Sequence, residues 1–171
     1  NSDLAESTWE VSEFSLKDTS MLGKVVYVYD GDTVYIVFKI NGKLVKYNCR
    51  LKGIDSPEIC PKNIPDQEKR KQEIESAVKS RNYLAYQVTG IGIEDKASKK
   101  DIKAICAMSR KLVWVKCYDF DKWGRVLADI YTSKDAPKSI SQILLDEKLA
   151  YPYAGETKLT EDEQISTLIS C

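Results

Sequence analysis

Histidine is absent from the 171 residues of this chain. That removes every mechanism that needs an imidazole base, a Ser-His or Cys-His nucleophile pair, or a His-ligated zinc. Any chemistry must come from carboxylates, arginines, lysines, tyrosines or a metal held by oxygen. Long apolar runs are missing too: none approaches the roughly 18 residues of a membrane span, so a soluble protein with no membrane partner is expected. Cysteines are few and odd in number, and Cys49, Cys60, Cys106, Cys117 and Cys171 contain no Cys-x-x-Cys pair of the kind zinc sites favour. Free, partly buried thiols are expected, which points towards a reducing, intracellular compartment. The chain begins at Asn1 rather than Met, so the lack of a leader segment says nothing about secretion.

Net charge is also absent, with 26 basic and 26 acidic residues, but it is unevenly spread. Residues 1–20 carry five acids against Lys17, and residues 155–171 carry four against Lys158, which leaves the stretch between them basic. A basic body with acidic ends is compatible with a polyanionic partner, although lysine-rich faces are commonly just solvated. The length suits one domain. Residues 1–20, acidic, Ser-rich and aperiodic, read as a flexible arm, and 21–171 as the folded domain, a monomer.

What is present is a hairpin pattern. A strand starts at Lys24, and Val25 to Tyr29 run into Asp30-Gly31, read as a turn whose central positions want positive φ. Val34, Ile36, Phe38 and Ile40 then alternate with polar partners up to a second turn, Asn41-Gly42, and Val45, Tyr47, Cys49 and Leu51 continue the alternation. From Asp66 to about Val88 the period becomes helical, with Ile74, Ala77, Val78, Leu84, Ala85 and Val88 on the buried stripe. Residues 90–109 read as a Lys-rich insertion with one short helix burying Ile102, Ala104, Ile105 and Met108. Leu112 to Tyr118 and Val126 to Tyr131 are two more strands. Ser139 with Gln142, and Thr160 with Glu163, are spaced as capping boxes of two further helices. Three strands, a helix and two strands predict an α+β fold: a five-stranded Greek-key OB-fold barrel with about three helices.

Acidic residues interrupt this scheme where neighbouring strand ends meet. Asp32 follows the first turn, and Asp55 and Glu58 leave the third strand. Like charges about 4 Å apart repel by roughly 1–4 kcal/mol, which a cation would relieve. Pro57 restrains Ser56 to an extended conformation and so fixes its carbonyl. Two carboxylates and a carbonyl form an all-oxygen set for a hard ion that keeps several waters. Arg50 and Arg125, on the third and fifth strands, could hold phosphate oxygens bidentately.

Three blocks, Asp30-Gly31-Asp32-Thr33-Val34, Arg50-Leu51-Lys52-Gly53-Ile54-Asp55-Ser56-Pro57-Glu58 and Asp121-Lys122-Trp123-Gly124-Arg125-Val126-Leu127-Ala128, together resemble the signature of the staphylococcal nuclease (thermonuclease-like) family. Leu149 to Gly155, with Lys158, resembles the family's segment after its second helix, so the likeness runs from about Lys24 to Lys158. It implies a calcium-dependent phosphodiesterase acting on DNA, RNA or both and leaving 3′-phosphates. Asp32, Asp55 and the Ser56 carbonyl would bind Ca2+, Glu58 would be the general base, and Arg50 and Arg125 would stabilise the pentacovalent phosphate. Lys122, Trp123 and Tyr153 fall where relatives contact a neighbouring nucleotide. Two features depart from the family: the insertion at 90–109, either a basic arm over the groove or an extension of the surface, and the acidic ends. Two other readings compete. One is a nuclease-like OB-fold module that binds nucleic acid or protein without cutting. The other is a single-strand-binding OB domain using Tyr27, Tyr29, Tyr35 and Tyr47.

Overall fold

The computed structural model describes residues 1–155 and 161–169. Five strands close a barrel: β1 (Ser20–Val28), β2 (Thr33–Ile40), β3 (Lys43–Leu51), β5 (Val113–Phe120) and β6 (Val126–Tyr131), in the order β1-β2-β3-β6-β5 and back to β1. All pairs are antiparallel except β3 with β6. This is the predicted α+β barrel of OB type. A two-stranded ribbon joins β4 (Ile54–Asp55) to β7 (Tyr151–Pro152). The helices are α1 (Ser2–Ala5), α2 (Gln67–Thr89), α3 (Lys99–Met108), α4 (Ile140–Asp146) and α5 (Glu161–Ile169). Among the described residues, none of these is long and apolar enough to cross a membrane.

Alternation explains the barrel. Val34, Ile36 and Phe38 of β2 point inward with Val113, Val115 and Cys117 of β5 and Val126, Ala128 and Ile130 of β6, all essentially inaccessible. Asn41 and Gly42 both take positive φ (48° and 78°), the geometry of a two-residue hairpin turn that matches strand twist. This turn fixes the β2–β3 register from Ile40↔Lys43 to Thr33↔Arg50. A local turn choice at one end of the hairpin thus delivers Arg50 beside Asp32 at the other.

β1 is longer than the sequence pattern predicts, starting at Ser20 rather than Lys24. Its first residues pair with β5, from Ser20↔Lys116 to Gly23↔Val113, while Gly23 onward pairs with β2. Such double duty closes the sheet. Gly23 stands at the changeover, where a Cβ would lie 2.5 Å from Ile36 Cγ2. Residues 1–15 are exposed, and Leu16 is the first buried side chain.

Helix α2 follows its predicted limits. The Asp66 side chain accepts from the Lys69 N–H, and Gly90 ends the helix at φ 73°. Its buried stripe runs through Ala77, Ser80, Arg81, Leu84, Ala85 and Val88, with Ile74 and Val78 only half-buried. The insertion at 90–109 is no arm over a groove. Ser98 and Asp101 form a complete capping box, and Ile102 and Cys106 enter the core where α3 packs on β1. Ala104 and Met108, expected to be buried, are exposed, because i, i+4 spacing puts Cys106 rather than Ala104 on Ile102's face. At α4, Ser139 caps the Gln142 N–H but the box is half-made, since the Gln142 side chain donates to Asp146 instead. Thr160, the expected cap of the last helix, lies outside the described residues, as does Lys158.

The Asp30-Gly31 turn is also a correction: neither residue has positive φ. Four residues, not two, connect β1 to β2. Glycine is needed at position 31 for close approach instead, because a Cβ there would sit 1.8 Å from Ser80 Oγ and 2.8 Å from Ser56 Cβ. Gly31→Ala should therefore destabilise the protein by about 1–3 kcal/mol through overpacking. Urea unfolding measures this, and a loss below about 0.5 kcal/mol would show that the loop gives way freely.

Candidate functional site

The β2–β3 register, the β4–β7 ribbon and the β5–β6 connection open onto one cleft of about 1040 Å³. All nine residues singled out from the sequence line it: Asp32, Arg50, Asp55, Ser56, Glu58, Lys122, Trp123, Arg125 and Tyr153.

At its floor Arg50 is buried between two aspartates. Its Nη2 donates to Asp55 Oδ1 at 3.0 Å and lies 3.3 Å from Asp32 Oδ2, while Nη1 donates to the Leu51 carbonyl at 3.0 Å. Asp32 Oδ2 also accepts from the Ser56 N–H and hydroxyl, at 2.9 and 3.0 Å, and Oδ1 accepts from the Thr33 hydroxyl at 2.8 Å. The Ser56 carbonyl, the predicted metal ligand, accepts from the buried Tyr151 hydroxyl at 3.1 Å. Sequence reasoning missed Tyr151 and Thr33 as partners, though both stand inside the quoted motifs.

Asp30 also lines the cleft, beside Asp32. Burial, then the charge of Asp32, pushes its carboxyl up to about 8. Burial acts the same way on Asp32, but the Arg50 guanidinium and the hydrogen bonds from Thr33, Asp30 and Ser56 outweigh it and hold Asp32 below the ordinary carboxylate range. The floor therefore carries more acid than Arg50 neutralises. An all-oxygen donor set with excess negative charge fits a hard divalent cation. Among the described residues no three acidic or thiol side chains form a ready-made cage. A cation would take the Asp32 and Asp55 carboxylates and complete its shell with the carbonyl and water.

Glu58 lies on the exposed rim, and its backbone N–H donates to Glu73 Oε1 of α2 at 2.7 Å. Across the cleft, Asp121 organises the β5–β6 turn. Its Oδ1 accepts from the Trp123 and Arg125 N–H groups, both at 2.9 Å, and its Oδ2 from Arg125 Nε at 2.6 Å. The two terminal nitrogens of Arg125 make no hydrogen bond within the described residues and remain available to a ligand. Trp123 is 70% exposed between two cations, with Lys122 Nζ 4.3 Å and Arg125 Cζ 5.3 Å from its ring. Tyr153 stacks its ring 5.9 Å from Arg50 Cζ. Of the tyrosines that might have read single strands, Tyr27 is in the core, Tyr35 and Tyr47 pack against it, and only Tyr29 is substantially exposed.

With this geometry in hand, no protein-family model matches the chain. Over 43 residues, 25% of this chain, it is 56% identical to an uncharacterized protein of Methanocaldococcus jannaschii. The matched stretch is 19% of that protein's length.

The Asp121 cap generates a pH prediction. Burial raises its carboxyl, but the hydrogen bonds from Arg125 and Trp123 and the Arg125 charge lower it further, so the net direction is down. A depressed carboxylate stabilises the fold above its unfolded value of about 3.9, and that contribution disappears as pH falls through the folded value. Asp121→Asn should be less stable than the parent by about 1–3 kcal/mol at neutral pH, with the gap closing below about pH 4. Denaturant titrations across pH test this; a gap independent of pH would separate Asp121 from the turn's electrostatics.

Proposed function

We propose that this chain is a calcium-dependent phosphodiesterase of the staphylococcal nuclease type, hydrolysing DNA, RNA or both to 3′-phosphate products. The observation that supports it best is the convergence of Asp32, Arg50, Asp55, Glu58 and Arg125, from four separate segments, on one cleft. Three of the five are buried or nearly so in a network that leaves none of them to chance rotamers.

In this reading the substrate phosphate lies between the acidic floor and Arg125. Asp32, Asp55 and the Ser56 carbonyl would hold calcium, which when bound would supply positive charge at the phosphate and acidify nearby water. Glu58 accepts a proton as water attacks phosphorus, and the bond to the 5′ oxygen breaks, with that oxygen reprotonated from solvent. Arg125 presents its terminal nitrogens to the equatorial oxygens as charge builds there. Arg50 has a double task, since it also ion-pairs with Asp32 and Asp55. Lys122, Trp123 and Tyr153 would hold the neighbouring nucleotide by charge and stacking.

One observation favours the alternative, a module that binds without cutting: Arg50 already bridges the two aspartates that calcium needs. The two readings separate on a digest of denatured DNA and of RNA. Cleavage with calcium that stops in excess chelator supports the enzyme, whereas binding with no cleavage at any calcium concentration assigns the module. Glu58→Gln should keep the fold and lower turnover by about 10²- to 10⁴-fold; turnover within a few-fold of the parent would give Glu58 a structural role only. Arg125→Lys keeps the charge but loses the planar fork, so kcat should fall by about 10² or more while the protein stays folded, with only a small drop in Tm from the weakened Asp121 pair. A modest, salt-dependent loss of binding alone would reduce Arg125 to an attractor of substrate.

A further inference from the structure

The outer face of the β5–β6 hairpin carries aromatic rings that the core does not use. Along β5, Val113, Val115 and Cys117 are buried, so Trp114, Lys116 and Tyr118 point outward. Along β6, Leu127, Asp129 and Tyr131 share that outer face. Trp114 pairs with Tyr131 across the ladder, and Lys116 with Asp129. The rings of Trp114, Tyr118 and Tyr131 are half-buried and take no part in the hydrophobic core, unlike Tyr35, Tyr47 and Phe120, which pack against it.

Lysines lie over these rings. Lys134 Nζ is 5.4 Å from the Trp114 ring, Lys116 Nζ is 5.5 Å from Tyr118, and Lys52 Nζ, in the turn after β3, is 3.9 Å from Tyr118. All three are exposed and form no ion pair among the described residues. The acid on this face, Asp129, is engaged by the Tyr118 hydroxyl at 2.6 Å. The stripe is continuous with the cleft, because Lys52 and Leu127 line that cleft too.

Interleaved rings and lysines on an open sheet face are what a single strand of nucleic acid requires, since every base offers a face for stacking and every linkage a negative charge. We propose that Trp114, Lys116, Tyr118, Tyr131, Lys134 and Lys52 form an extended binding track for single-stranded nucleic acid leading away from the cleft. This rests on the nuclease reading for the identity of the ligand. A folded duplex would reach only the lysines, so the track favours unpaired strands over duplex of the same length.

The test uses the full chain in excess chelator, so that binding is read without cleavage, with fluorescein-labelled oligothymidylates of about 3 and about 12 nucleotides. Parent affinity should rise with length. In Trp114→Ala and in Tyr118→Ala the 12-mer should bind about tenfold more weakly and most of the gain with length should be lost, while Trp114→Phe and Tyr118→Phe retain it. Lys116→Ala, at an exposed position, should lower the salt dependence of 12-mer binding by about one phosphate contact. Parental length dependence in both alanine variants overturns the track. Competition by oligoglutamate as strong as by oligothymidylate also overturns it and points to an acidic protein partner. Failure of the two ideas is distinguishable: calcium-dependent cleavage with unaltered length dependence in the variants sinks the track alone, and length-dependent binding with no cleavage sinks the nuclease alone.

Discussion

A guanidinium buried between two carboxylates is the interaction on which the rest of this site depends. Arg50 reaches Asp32 at the start of β2 and Asp55 in β4, and so ties three backbone segments together where the barrel opens. Removing one partner of a buried pair typically costs about 3–5 kcal/mol, because the other charge is left without compensation. Ser56, Thr33 and Tyr151 extend the pairing into a network whose donors all converge on the same acidic floor. The network fixes side-chain directions that an exposed cluster could not hold.

From this constraint the division of labour follows. Arg50 has both terminal nitrogens engaged by protein oxygens, whereas Arg125 is held through Nε and keeps its terminal nitrogens open. The floor is acidic and the far rim, with Lys122, Arg125 and Lys52, is basic. A net-neutral chain thereby presents one local field suited to a cation and another suited to phosphate, and zero formal charge is no obstacle to a polyanion.

Much of this was legible in the residues. The Asn41-Gly42 turn fixes the hairpin register by backbone geometry alone, and inward alternation fixes which side of β3 carries Arg50. Strand periodicity put Asp32, Asp55 and Glu58 near neighbouring strand ends, and it was the resemblance that joined them into one site. What was hidden depends on contacts between distant segments. Gly31 looked like a turn glycine, yet its φ is ordinary and its smallness serves Ser80 of α2. The insertion read as either a basic arm or an extension of the surface because lysine content is visible in sequence, whereas the two side chains that anchor α3, Ile102 and Cys106, are sparse and one is a residue type that reads ambiguously. The outward rings of β5 and β6 were indistinguishable from core aromatics until the barrel showed which face each strand buries.

The unfolding free energy of Arg50→Gln, measured with and without calcium, bears most directly on the bridging role of Arg50. Without calcium the variant should lose about 3–5 kcal/mol relative to the parent, as expected for a broken buried pair. Added calcium should recover more stability in the variant than in the parent, because the cation then has both carboxylates to itself. Parental stability without calcium, or no stabilisation of either protein by the ion, would contradict the claim that Asp32 and Asp55 are shared between a guanidinium and a metal.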